Sequence, residues 1–235
     1  MNKFANNNGV NIHYRIYGNP DSKKNDIVMI HGALGSSDDW ENNKNLMSRM
    51  LEDNYRKTCI INLRGHGQSD FPDDGYTVEN HISDIVSVIE VEKMRNVVLV
   101  AHSLGVSYAV GAALHAGNKI VGFLAGDYVP IVSSFNNSWL EYVTQHIDEF
   151  NVNPSLPYKL VEEIENTSFI EDLNKLSFPA LVIRGIGDGG MLQDDDSERY
   201  WENLNGVQFF KSNTGHEVFS SRETVDRVIS FLSDL

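Results

Sequence analysis

Cysteine is nearly missing from these 235 residues: Cys59 stands alone, inside an apolar run. One cysteine cannot close a disulfide within the chain, so no cross-linked framework is available and a reducing compartment fits. No helix start or sharp turn adjoins the thiol, which reads as buried packing. Long apolar runs are missing too. None approaches the roughly 18 residues that span a bilayer, and the opening Met1-Asn2-Lys3-Phe4-Ala5-Asn6 has no apolar signal core. The expectation is a cytoplasmic protein that makes no use of a membrane. Positive charge is scarce: 19 Lys and Arg stand against 33 Asp and Glu, a formal net charge of −14. Nucleic-acid and anionic-membrane surfaces want the opposite sign, so neither is an expected partner. Histidines at metal-ligand spacing, dinucleotide glycine patterns and P-loops are absent as well, and no metal or cofactor is expected. No internal repeat or low-complexity linker appears.

What is present is an ordinary globular composition, 41% hydrophobic and 22% charged. Its most informative stretch is Asn96-Val97-Val98-Leu99-Val100-Ala101-His102-Ser103-Leu104-Gly105. The apolar run reads as a strand buried on both faces. Small residues follow at Val106, Ser107, Ala109, Gly111, Ala112 and Ala113, as in a helix packed closely on a sheet. A serine caught between two such elements sits on a sharp turn that pushes its hydroxyl out at the carboxyl edge of the sheet. This is the nucleophile-elbow pattern G-x-S-x-G, with Ala101 in the first glycine position.

The rest of the chain alternates. A hairpin is expected from Lys3 to Tyr17 around an Asn-Gly turn. A polar loop is expected over 18–25 and strands over 26–30 and 58–63. A helix is expected over 38–52, with Trp40, Met47, Met50 and Leu51 on one face, and another from Thr77. Strands then follow at 119–125, 178–184 and 207–210, with helices near 195–204 and after His216. That alternation predicts an α/β fold: a doubly wound, mainly parallel sheet covered on both faces. The core is residues 1–127 and 178–235 of a single domain. The aromatic, helix-like stretch 128–177 breaks the rhythm and reads as a short helical cap inserted over the strand ends.

Ligands bind at the carboxyl ends of such strands. Ser103, Asp188 and His216 reach that edge in the chain order of a Ser–Asp–His triad. An alcohol needs a base to become a nucleophile. A neutral imidazole at His216 suits that task, and Asp188 would hold its other ring nitrogen. Asp127, at the end of the preceding strand, is the rival acid. Backbone N–H groups of Ala33 and Leu104 are placed to hold an oxyanion.

These motifs together resemble the α/β-hydrolase family over nearly the whole chain. His31-Gly32-Ala33-Leu34-Gly35 is similar to its H-G-x-x-G loop, and Arg64-Gly65-His66-Gly67-Gln68-Ser69 to its R-G-x-G-x-S loop. Gly185-Ile186-Gly187-Asp188 is similar to the family's acid motif and Gly215-His216 to its base motif. Asn62 stands where an aspartate is common, and Gly189-Gly190 where a proline is usual. The resemblance implies a small-cap, cofactor-independent serine hydrolase, with His31 bracing its loop. The expected activity is cleavage of a small apolar ester, thioester or lactone through an acyl-enzyme on Ser103. A triad-retaining ligand sensor, a C–C bond hydrolase and an acyltransferase are the alternatives. The substrate-binding candidates are Leu34, His102 and Phe219, beside the motifs, and Phe135, Trp139 and Tyr142, which either face the pocket or form the cap's own small core.

Overall fold

The computed structural model describes every residue except 20, 53, 54 and 56. The polar loop expected over 18–25 thus includes one position, Pro20, outside the described residues. In chain order the strands and helices are β1 (Asn2–Asn7), β2 (Val10–Tyr17), β3 (Asp26–Ile30), α1 (Ser37–Asn42), α2 (Lys44–Glu52), β4 (Thr58–Ile61), α3 (Val78–Val91), β5 (Val97–His102), α4 (Gly105–Ala116) and β6 (Ile120–Gly126). Then follow β7 (Ile131–Val132), α5 (Asn137–Gln145), α6 (Leu156–Glu163), β8 (Thr167–Ser168), β9 (Ala180–Gly185), α7 (Asp194–Asn203), β10 (Val207–Ser212) and α8 (Arg222–Ser233).

Eight strands form one sheet in the order β1-β2-β4-β3-β5-β6-β9-β10. The β1–β2 hairpin turns at Asn8 and Gly9, both at positive φ (53° and 93°), as a two-residue primed turn requires. Strand β2 pairs antiparallel with β4, and every pairing from β4 to β10 is parallel. Side chains of β5 alternate. Val97, Leu99 and Ala101 join the core under α3 and α4, while Val98 and Val100 join the core under α1, α2 and α8. The small residues of α4 let it lie close. A Cβ on Gly105 would collide with the His31 carbonyl oxygen, and one on Gly111 with Ile82 of α3.

The single helix expected over 38–52 is two. Asn43 leaves helical geometry (φ −77°, ψ 74°), and its side chain accepts from Leu46 N–H while donating to the Phe219 carbonyl. The restart turns Leu46, Met47 and Met50 inward and leaves Leu51 exposed, against the expectation for that residue. Strand β4 stops at Ile61, short of Leu63, because Asn62 turns its side chain to cross-link the loops described below.

Residues 128–177 carry α5, α6 and the two-stranded β7–β8 ribbon, in which Ile131 pairs with Ser168. Glu163 of α6 ties this segment to the core by accepting from the N–H groups of Gly75 and Tyr76, both at 2.8 Å.

Candidate active site

Ser103 follows β5 directly and precedes α4. Its φ is +55°, in the left-handed region that a residue with a Cβ seldom adopts. Two bonds hold it there: its N–H donates to Gly126 O at 3.0 Å, and its carbonyl accepts from Val106 N–H at 2.9 Å. Gly32 lies against it. A Cβ on Gly32 would come within 2.8 Å of Ser103 Cβ and 3.2 Å of its Oγ. The first-position Ala101 of the elbow is fully buried in β5.

The acid partner of His216 differs from the sequence expectation. Nδ1 of His216 lies 2.9 Å from Oδ2 of Asp127, not of Asp188. A carboxylate oxygen can only accept, so Nδ1 is the donor in this bond. Asp127 is fully buried and also accepts from the N–H groups of Gly185 (2.8 Å), Met191 (2.8 Å) and Leu192 (3.3 Å). Sheet register explains the exchange. His102 of β5 faces Gly126 of β6, so the next residues, Ser103 and Asp127, leave adjacent strands at the same level. Both leave at positive φ, 55° and 50°. Asp188 lies further along, in a turn after β9 where its side chain is exposed. The backbone of that turn is used instead: Gly187 N–H donates to Thr214 O at 2.8 Å, and Gly215 packs on the Asp188 carbonyl. The readable signal for Asp127 was its place one residue past the strand beside the elbow.

His102 joins the Ser103 side to the His216 side. Its Nε2 donates to the His216 carbonyl at 2.8 Å, and the two rings stand 4.6 Å apart. Burial, then the neighbouring His216, lowers the His102 pKa.

The glycine loop after β3 is braced from behind. Leu63 N–H donates to Nε2 of His31, so Nδ1–H donates to Gly32 O at 2.7 Å. That carbonyl belongs to the peptide whose N–H is Ala33's. Burial, then the nearby His66, pushes the His31 pKa well down and keeps the ring neutral. Nε2 of His66 stands 2.7 Å from Ala33 O. Asn62 accepts from Ser37 N–H at 2.6 Å and donates to Nδ1 of His13 at 2.7 Å, a loop-bracing role. Among the described residues, the N–H groups of Ala33 and Leu104 have no protein acceptor.

A cavity of about 450 Å³ opens beside this edge, walled by His31, Gly32, Trp40, His102, Glu217 and Phe219 among others. Phe219 meets Trp40 edge-on (centroids 5.0 Å apart) and His102 likewise (5.8 Å). Of the candidate pocket residues, His102 and Phe219 line this cavity. Phe135 and Trp139 stack on each other at 4.0 Å and pack on the core beneath α4, as does Leu34. Tyr142 is 57% exposed and stacks on His146, away from the cavity wall.

The chain is similar to known proteins in sequence and in fold. The model of the alpha/beta hydrolase family matches residues 27–220. A non-heme chloroperoxidase from Streptomyces lividans is 32% identical over 105 residues, 45% of this chain and 36% of that protein. A 2-(acetamidomethylene)succinate hydrolase from Mesorhizobium japonicum is 32% identical over 108 residues, 46% of this chain and 37% of that protein. The matched segments thus span little more than a third of these two curated relatives. An esterase structure from Exiguobacterium antarcticum superposes with a TM-score of 0.83, covering 99% of this chain and all of that one at 18% identity, which shows a shared fold. Among the described residues no helix is long and apolar enough to cross a membrane.

Proposed function

The chain belongs to the alpha/beta hydrolase family, and on that premise we propose that it is a serine hydrolase cleaving a small apolar ester, thioester or lactone through an acyl-enzyme on Ser103. The observation that carries this reading is the Asp127–His216 bond at 2.9 Å, set one strand away from a serine at positive φ.

Each group has a task. His216 Nε2 takes the Ser103 proton as Oγ attacks the carbonyl carbon. Asp127 keeps Nδ1 protonated and stabilises the imidazolium that forms. The N–H groups of Ala33 and Leu104 hold the tetrahedral oxyanion, each worth about 3–4 kcal/mol of barrier. The intermediate collapses as His216 returns its proton to the leaving oxygen. Water, activated by the same imidazole, then attacks the acyl-enzyme, releases the acid and restores the Ser103 hydroxyl.

Exposure to a fluorophosphonate followed by peptide mass spectrometry tests the proposal. It expects one adduct, on Ser103, that is lost in Ser103→Ala, and ester hydrolysis lost with it. A folded protein that takes no label on Ser103 counts against it.

A further inference from the structure

Three residues on the wall of the 450 Å³ cavity are the immediate chain neighbours of three residues assigned to the chemistry. Gly32 precedes Ala33, His102 precedes Ser103, and Glu217 follows His216. The cavity lies on the α1–α2 side of the sheet edge, where Asp39, Asn43 and Lys44 complete its rim. Phe219, from the same loop as His216, forms part of its apolar floor.

We propose that this cavity receives the leaving group of the substrate and selects cationic over anionic leaving groups. The inference rests on the serine-hydrolase reading and deepens it by naming a substrate class. The base returns its proton to the leaving oxygen, so the departing group must lie beside His216. Glu217, Phe219 and Ser220 of that histidine's own loop form one wall of the cavity, and His102, next to Ser103, forms another part.

The charges facing that space are Asp39 and Glu217 against Lys44. His31 and His102 add none, because burial lowers the pKa of each. Asp39 has one carboxylate oxygen engaged by Ser36 N–H at 2.9 Å. Glu217 has no side-chain partner among the described residues and is open to an ammonium group. A carboxylate placed there meets two like charges against the one opposite charge of Lys44, and the chain's net charge of −14 adds to the repulsion.

The test uses acetate esters of three alcohols: pentan-1-ol, 4-(dimethylamino)butan-1-ol and 4-hydroxybutanoate. All three form the same acetyl-enzyme, so kcat/KM reports the leaving group alone. At low salt the cationic ester is expected to exceed the anionic one by about tenfold in kcat/KM, with the neutral ester between. Glu217→Gln is expected to reduce that ratio to about threefold. Equal values for the charged pair, or a ratio unmoved by Glu217→Gln, would overturn the assignment. Calorimetric titration of Ser103→Ala with the two free charged alcohols separates this inference from the reading beneath it. Tighter, Glu217-dependent binding of the amino alcohol with no turnover of any ester keeps the cavity's preference for cations but overturns its assignment as a leaving-group site together with the hydrolase reading. Turnover through Ser103 with no charge preference does the reverse.

Discussion

Asp127 accepts a hydrogen bond from Nδ1 of His216 at 2.9 Å, although 89 positions separate the two residues. The pairing is a consequence of sheet order. Strands β6 and β9 are neighbours, Asp127 N–H donates to Ile183 O, and the Asp127 carboxylate caps the N–H of Gly185 at the end of β9. One buried carboxylate therefore fixes both the loop after β9 and the ring of His216.

The approach of Gly32 to Ser103 predicts a steric effect on reactivity. A Cβ there would stand 2.8 Å from Ser103 Cβ, closer than such atoms pack. Gly32→Ala is expected to lower kcat/KM for an acetate ester by at least about tenfold, near 1.4 kcal/mol of barrier. The melting temperature is expected to shift by no more than about 3 °C. Unchanged kinetics would show that the loop does not touch the serine in solution.

A buried ion pair supports the loop that carries His66. Arg64 Nε and Nη2 donate to the two carboxylate oxygens of Asp84 at 2.8 and 2.7 Å, and the Arg64 N–H (3.4 Å) and Asn7 Nδ2 (2.7 Å) donate as well. Removing the carboxylate leaves the guanidinium buried and unpaired. Asp84→Ala is expected to cost about 3–5 kcal/mol in urea unfolding. A loss below about 1 kcal/mol would contradict this reading.

His81 makes stability depend on pH. Burial lowers its pKa from 6.5 to about 4, against the opposing pull of Asp84. The unfolded chain thus binds a proton near pH 6.5 that the native state refuses until about pH 4. The contribution is complete above pH 6.5 and is lost as pH falls towards 4, by about 3 kcal/mol in all. Urea unfolding at pH 7, 5.5 and 4 checks it: His81→Gln is expected to flatten the decline across that window. An equally steep decline in the variant would assign the effect to other groups.

Much of this architecture is legible in the chain itself, because hydrophobic runs and turn residues are local signals. Strand Asp26–Ile30 and the Thr77 helix cap fall where the residues place them. The break at Asn43 was not legible, since it depends on a bond to Phe219, 176 positions away. Asp188 carries the expected local motif, yet its turn is held through backbone, with Gly187 N–H donating to Thr214 O and Gly215 packed on the Asp188 carbonyl, while Asp188 itself is exposed. Asp127 carries no such motif and is legible only as a rival acid, one residue past the strand beside the elbow; its bond to His216 depends on register between β5 and β6. The aromatics of residues 128–177 were ambiguous for a similar reason. Tyr142 faces solvent while Phe135 and Trp139 stack on each other, a choice made by packing between α5 and the core.

The rate at which a fluorophosphonate labels Ser103 reports the activated nucleophile without requiring a known substrate. Measured in wild type, Asp127→Asn and Asp188→Asn, it tests the Ser103–His216–Asp127 unit most directly. The account predicts a fall of about 10⁴-fold in Asp127→Asn, where the base loses its tautomer and orientation, and a change within about threefold in Asp188→Asn. A slow Asp188→Asn beside a fast Asp127→Asn would contradict it.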